Sequence, residues 1–324
     1  MSALNTSSTT YRRIPLAPHQ RLDRITPTAS CFVLAHMGVP KVDAEHWSLT
    51  IDGLVRRKLT LDRAALAALP QTQIESFHQC AGAPLRPDLP MRRVMNVVWN
   101  GVLLSELLKR AEVLPEARFL WSYGLDGGSY EGHTVESYVK DLPLDRIAES
   151  VLVATELNGA PLPPEHGFPA RLLVPGFYGT NSVKWLKRIR LADRRAEGPF
   201  TTALYNDPAE DGGRRPVWAV MPESALVAPA TGAVLKAEET VIWGWAWGKL
   251  PIDRVEISTD GGESWRDAEL EARHQFSWQR FTLKWRPISP GRATIIARAH
   301  DGSGSIQPAA AARNAVHKVE VEIR

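Results

Sequence analysis

Cysteine is nearly absent from this sequence: 324 residues carry two, Cys31 and Cys80. That excludes a disulfide-stapled scaffold, and in a reducing compartment a bridge between the two would not persist. There is no paired C-x-x-C for a structural zinc, no C-x-x-C-H run for an attached haem, and no flavin or dinucleotide glycine fingerprint. Long apolar runs are missing too, and no stretch approaches the ~20 residues that span a bilayer. The Ser/Thr-rich start, Met1 to Arg13, has no apolar h-region or small-residue cleavage site, so the expected compartment is the cytoplasm. Nor is charge of one sign concentrated anywhere. The 39 basic and 36 acidic side chains are mixed along the chain for a formal net charge of +3, which leaves no footprint of a nucleic-acid or membrane partner.

What is present divides in two, as the length of the chain leads one to expect. Residues 1–30 read as an irregular arm. In residues 31–207 strands are interspersed with short helices, an α+β pattern without the regular alternation of a doubly wound sheet. Trp47 to Gly53 alternates apolar and polar residues like a half-buried strand. Thr60 stands at an N-cap position before a helix over Leu61 to Leu69, stopped by Pro70, and a second helix is expected over Leu103 to Ala111. Strands are expected over Gln73 to Phe77, Phe119 to Tyr123, Val151 to Glu156, Arg171 to Val174 and Val183 to Leu191. Pro208 to Pro216 is polar and glycine-bearing, as a linker would be. Residues 208–324 then carry period-two strands over Thr240 to Trp247, Arg254 to Ser258, Phe281 to Trp285, Ala293 to Ala299 and Val316 to Ile323. Turns with positive φ are expected at Asp260-Gly261-Gly262 and Asp301-Gly302, and the whole reads as an immunoglobulin-like sandwich. Seven of the eleven tryptophans lie there, at positions suited to a core or a dimer contact.

Four motifs carry the chemistry: Phe32-Val33-Leu34-Ala35-His36, His78-Gln79-Cys80-Ala81-Gly82, His166-Gly167-Phe168-Pro169-Ala170-Arg171, and Ser182-Val183-Lys184-Trp185-Leu186. In order and approximate spacing they resemble the molybdenum domain of the sulfite oxidase family, and the sandwich resembles that family's dimerisation domain. The resemblance implies a molybdenum cofactor with a pyranopterin, for which Cys80, just after a strand, supplies a protein thiolate. The physical reading agrees. A metal that cycles through two electrons prefers soft sulfur donors, and one thiolate is too few to hold it, so the metal must arrive with its own ligands. An anionic pterin needs cations and backbone amides around it. The resemblance assigns cofactor contact to Phe32, Val33, Leu34, Ala35, His36, Asp126, His166, Arg171, Ser182, Val183 and Lys184. For Asp126 a role in its own Leu-Asp-Gly-Gly turn remains open, as does a solvated loop pair for His166 and Arg171. Cys31, in an apolar run, reads as core or pterin-adjacent packing.

The expected substrate is a small sulfur oxyanion, sulfite, with electrons leaving to an external acceptor such as a cytochrome and the chains pairing as a homodimer. Here the sequence departs from the family. Leu34 stands where the family carries an arginine, and Ala83-Pro84-Leu85 replaces a run with Asn and Arg after Cys-Ala-Gly. Tyr205 is the candidate proton donor, with packing beside the linker as the alternative. Lys318 stands where a His-Arg-Val run has its arginine, and Arg86, Arg92 and Arg93 either compensate for the missing arginines or face solvent. The active-site tryptophan has no clear counterpart, because Trp99 matches a structural one. A less cationic pocket leaves room for a reductase of a neutral S-oxide or N-oxide, and the tryptophan-rich sandwich leaves room for a non-catalytic binding protein. A Cys80 nucleophile with His78 as base lacks an orienting third group.

Overall fold

Alternation along Ser48–Gly53 puts Leu49 and Ile51 inside and their neighbours at the surface, as a strand of period two must. The computed structural model describes residues 10–82, 93–147, 150–209, 211–310 and 313–324, so Arg86, Arg92 and the Ala83 to Leu85 run lie outside the described residues. Two compact units form, each from three stretches of chain. One takes Met1–Arg13, Val33–Ile74 and Val98–Trp218, and the other Ile14–Phe32, Glu75–Val97 and Ala219–Arg324.

In the first unit a five-stranded sheet runs in the order Val139–Pro143, Phe119–Gly124, Leu186–Ala192, Ser48–Gly53, Leu59–Asp62. Its pairs are antiparallel apart from Leu186–Ala192 against Ser48–Gly53. The helix Leu104–Ala111 buries Leu104, Leu107 and Ala111, spaced to share one face, against Leu49, Leu120 and Leu191. Glu106 in its first turn and Lys109 and Arg110 in its last complement the helix dipole. A second sheet contains Leu152–Leu157 between Val94–Leu103 and Arg171–Leu173.

The first expected helix is much shorter than its sequence pattern. Leu59–Asp62 is a strand whose Leu61 pairs with Leu49, and the cap is Asp62, whose Oδ1 accepts the Ala65 N–H at 2.7 Å. Thr60 is therefore a strand residue, and the helix covers Arg63–Ala67 alone. The amino-terminal arm is less irregular than expected, because Tyr11–Arg13 pairs with Val33–Ala35. Residues 182–185 leave the sheet that Val183 to Leu191 was expected to continue. Trp185 takes φ 49 and its indole donates to the Pro164 carbonyl at 2.7 Å, so the strand starts at Leu186. The linker stretch also gains order: Asn206–Pro208 pairs with Arg214–Pro216, and Asp211 Oδ1 receives the Gly213 N–H at 2.9 Å in the connecting turn.

In the second unit two sheets form a sandwich. One has the order Glu223–Ala228, Thr240–Trp247, Gln279–Trp285, Glu269–Leu270, and the other Val234–Leu235, Lys318–Ile323, Gly291–Asp301, Ile252–Ser258, Arg266–Asp267. Ile242, Phe281, Val255, Ile257, Ile295 and Val321 fill the space between them. Trp245, Trp247, Trp278 and Trp285 are buried, and Trp245 stacks on Trp278 with ring centroids 4.9 Å apart. Near Asp301 the positive φ falls on Gly304 rather than Gly302, because Asp301 Oδ1 accepts both the Ser303 and Ser305 N–H and lengthens the turn. Among the described residues no helix is long and apolar enough to cross a membrane.

Gly244 sits between two tryptophans where a Cβ would come within 2.2 Å of the Ala225 carbonyl oxygen and 2.6 Å of Phe281 Cζ. Gly244→Ala should therefore lower unfolding free energy by about 3 kcal/mol through overpacking, read as a shift of the urea midpoint.

Candidate functional site

In the first unit, Pro163 and Pro164 begin a single 3-10 turn, Pro164–His166, that closes on Gly167 with φ 110. Crowding adds a second demand for glycine there: a Cβ would stand 3.1 Å from Lys184 Cβ and 3.2 Å from Arg171 Cβ. The turn thus lays His166 beside Arg171 and Lys184. Arg171, buried at the start of Arg171–Leu173, donates from Nη1 to the His166 carbonyl at 3.1 Å and from Nη2 to the Ser182 carbonyl at 3.0 Å. Its guanidinium lies over Trp99, 5.0 Å from the ring centroid, and Trp99 is fully buried. Lys184 Nζ donates to the carbonyls of Leu34 at 3.1 Å and Glu165 at 3.0 Å. Ser182 Oγ accepts the Val174 N–H at 3.0 Å, and Val183 packs in the core with its carbonyl bonded to the Leu172 N–H.

Burial pushes the Arg171 guanidinium down to about 9. Burial first, then the charges of Arg171 and Lys184, push His166 down to about 3, so its imidazole is neutral at physiological pH. His166 is 2% exposed, and its Nε2 has no hydrogen-bond partner among the described residues. Asp126 Oδ1 is in the same position, and burial raises that carboxyl to about 6 against the pull of Lys184 and Lys187. Cations held by carbonyls, next to buried polar atoms with bonds still to make, suit an anion rich in donors and acceptors.

Two more expected residues meet in this unit: the Tyr205 hydroxyl is hydrogen-bonded to His36 Nε2. His36 stacks on Tyr130 with centroids 4.1 Å apart, and Tyr205 takes φ 57. Lys140, which sequence reasoning missed, is wholly buried, donates from Nζ to the Phe200 carbonyl at 2.8 Å and lies 5.6 Å from the Tyr205 ring centroid. Burial lowers its ammonium to about 8. A lysine between Val139 and Asp141 gives no sequence signal of burial. Val33 and Ala35 are buried and Leu34 half-buried on Val33–Ala35, and Arg12 stands directly across the strand pair from Leu34. Glu165, also missed, pairs with Arg13 at 2.5 Å.

Cys80 belongs to the second unit, one residue beyond the strand Gln71–Gln79. It is 9% exposed, and its Sγ accepts the Gly82 N–H at 3.4 Å. Its own N–H donates to the Arg93 carbonyl at 2.9 Å. Gln79 fixes the end of the strand: Nε2 donates to Glu223 Oε2 at 2.6 Å and Oε1 accepts the Trp247 indole N–H at 2.8 Å. Phe32 stacks on His78 with centroids 6.1 Å apart. Cys31 is fully buried with Sγ 3.5 Å from the Pro27 carbonyl oxygen, a core residue. Lys318 is exposed at the start of Lys318–Ile323. Among the described residues no group of three or more His, Cys, Asp or Glu side chains is placed to hold a metal, so a metal at Cys80 needs ligands from a cofactor.

The class of the protein, a molybdopterin-dependent oxidoreductase, follows from its similarity to known families. Residues 36–200 match the oxidoreductase molybdopterin binding domain and residues 214–321 the Mo-co oxidoreductase dimerisation domain, and the chain belongs to the sulfite oxidase family of molybdenum-cofactor oxidoreductases. It is 29% identical over 340 residues to mitochondrial sulfite oxidase of Mus musculus, covering 92% of this chain and 62% of that protein. With Gallus gallus sulfite oxidase it shares 30% identity over 320 residues, covering 88% and 68%. The chain thus spans under two thirds of the mouse relative's length. Among solved structures it resembles the sulfane dehydrogenase SoxCD of Paracoccus pantotrophus, with a TM-score of 0.79, 29% identity, and coverage of 93% of this chain and 82% of that one. The cofactor is molybdenum with molybdopterin. The buried bonding capacity of His166 Nε2 and Asp126 Oδ1, beside Arg171 and Lys184, fits the pterin.

Two outcomes follow. Arg171→Met removes charged hydrogen bonds and should cut bound molybdenum per purified chain at least about tenfold, measured by elemental analysis. His166 has a folded pKa of about 3 against 6.5 unfolded, so cofactor-free protein should lose stability as pH falls through 6.5 toward 3. Asp126, raised to about 6, opposes part of that loss below pH 6. Relative to His166→Gln, the parent should lose on the order of 3 kcal/mol between pH 6.5 and 4.5, read by urea unfolding at each pH.

Proposed function

We propose that the chain oxidises sulfite to sulfate and passes two electrons singly to an external acceptor, a cytochrome, as a homodimer joined through the sandwich. The Tyr205 to His36 hydrogen bond carries this reading, because it provides a proton path between two residues assigned to substrate and cofactor. The balanced reaction is sulfite plus water giving sulfate, two protons and two electrons. Bound through the Cys80 thiolate, the cofactor supplies two-electron oxygen-atom transfer. The protein's own residues bind, orient and move protons.

In this reading His166, Arg171, Ser182, Val183, Lys184 and Asp126 hold the pterin. Arg171 and Lys184 meet its negative charge, while neutral His166 and Asp126 bond its heteroatoms. Phe32, Val33, Leu34, Ala35 and His36 line the same cofactor, with Lys184 fixed to the Leu34 carbonyl. The Tyr205 hydroxyl bonds the substrate oxygen and passes a proton to His36 Nε2, and Lys318 adds positive charge for the anion. Buried Lys140, over the Tyr205 ring, favours the negative charge that builds on the phenol when its proton leaves. Both cysteines are free, which suits a reducing compartment, and we place the protein in the cytoplasm.

A second reading, reduction of a neutral S-oxide, is favoured by Leu34, which offers no charge where the family has an arginine. A substrate screen on molybdenum-loaded protein with artificial electron acceptors and donors separates the two. Sulfite turnover that falls with added salt supports the first, and salt-insensitive S-oxide reduction without sulfite turnover supports the second. Tyr205→Phe should lower kcat for sulfite about a hundredfold, by stopped-flow or steady-state assay, while molybdenum content is unchanged.

A further inference from the structure

The strand Val33–Ala35 and the turn Pro164–His166 carry residues assigned to the cofactor from distant parts of the sequence, and two separate bridges join them within the first unit. One bridge is Lys184, whose Nζ donates to the Leu34 carbonyl at 3.1 Å and to the Glu165 carbonyl at 3.0 Å. The other is the amino-terminal arm. Tyr11–Arg13 pairs antiparallel with Val33–Ala35, with Arg13 opposite Val33, and Arg13 Nη2 reaches on to Glu165 Oε1 at 2.5 Å. Thr10 Oγ1 donates to the His36 carbonyl at 3.0 Å. The arm therefore grips the Val33 to His36 segment at both ends and ties it to the turn that presents His166.

The two bridges differ in how easily they open. Lys184 is half-buried and leads directly into the sheet strand Leu186–Ala192. The arm strand is three residues long with Tyr11 and Arg12 exposed, and a short, exposed pairing opens locally at far less cost than the fold as a whole. Burial works against the Glu165 carboxylate, yet bonds from its own N–H and from Arg13 hold its pKa below the ordinary value, so the pair stays charged at neutral pH. A group held by both segments leaves only when one of them moves, so a bridge between them acts on the rate of leaving. We propose that Tyr11–Arg13 is a strap on the cofactor site, with Arg13 its positioning residue: closed, it holds the Val33 to His36 segment to the His166 turn and slows departure of the pterin. The strap rests on the placement of the pterin among His36, His166, Arg171 and Lys184 proposed above and is independent of which substrate is oxidised or reduced.

The test follows loss of cofactor from molybdenum-loaded, full-length protein in cofactor-free buffer, warmed until the parent releases it at a measurable rate. Elemental analysis reads the molybdenum retained and fluorescence after oxidation reads the pterin retained, neither of which needs turnover. Arg13→Gln and Glu165→Gln should each speed the loss about fivefold, and the double variant should be no faster than either single change. Arg13→Lys should stay within about twofold of the parent, and the exchanged pair Arg13→Glu with Glu165→Arg should recover most of the lost retention. Salt at about 0.5 M should speed loss from the parent and leave Arg13→Gln nearly unchanged. The urea midpoint of the cofactor-free protein should be the same for the parent and Arg13→Gln, and a midpoint that falls in step with retention makes Arg13 merely structural and overturns the strap. If Arg171→Met loses its molybdenum while Arg13→Gln releases cofactor at the parent's rate, the strap is overturned and the cofactor site stands. Retention of molybdenum by Arg171→Met overturns the site and the strap together.

Discussion

A buried guanidinium anchored by carbonyls is the constraint on which the rest of the cofactor site depends. Arg171 is fixed by the oxygens of His166 and Ser182, so its position is set by backbone. The cost of keeping that charge inside the protein appears as its lowered pKa, and its repulsion adds to the burial that depresses the pKa of His166. Both effects would ease on binding the anion proposed above. Gly167 is what lets the turn come close enough, and Lys184, tied to Leu34 and Glu165, adds a second fixed cation. The cations are thus held in place by the protein's own carbonyls, and the anionic cofactor proposed to bind there would meet them already fixed.

The Cys80 loop follows the same logic with different parts. Gln79 spends both ends of its amide on Glu223 and Trp247, which stops the strand end from twisting. Beyond it the thiol is held by Gly82 and flanked by Arg93 and Arg313. A thiolate that must bind a heavy atom at one distance gains from neighbours that cannot drift, and amide pairs satisfied on both sides are stiff in this sense.

Much of this was legible in the sequence. Most of the long sandwich strands were, because period-two runs such as Lys318–Ile323 bury one face, though Glu223–Ala228 was not; Cys80 was expected just after a strand, which runs to Gln79 rather than ending at Phe77. The motif residues His166, Arg171 and Lys184 could be read from the family resemblance, and they do gather. Other features were hidden for physical reasons. The stretch from Thr60 to Leu69 has good helix formers, yet pairing with Ser48–Gly53 satisfies the backbone of its first residues better than a helix would. Lys140 looks like an ordinary surface lysine, since nothing local announces that the Phe200 carbonyl will accept its hydrogen bond. Arg313 lies more than two hundred residues from Ala81, and no local pattern signals a contact of that span. The pairing of Asn206–Pro208 with Arg214–Pro216 was masked by the composition of a linker.

The interleaving of the second unit has a consequence for how the protein is made. Its residues come from Ile14–Phe32, Glu75–Val97 and Ala219–Arg324, so Cys80 is synthesised long before Glu223, Trp247 and Arg313 emerge from the ribosome. Arg93 reaches the loop from nearby in the chain, whereas Arg313 and the partners of Gln79, Glu223 and Trp247, come from far downstream. The setting of the thiol is therefore complete only once segments far apart in the sequence have come together, and folding of this unit waits on chain far downstream of Cys80.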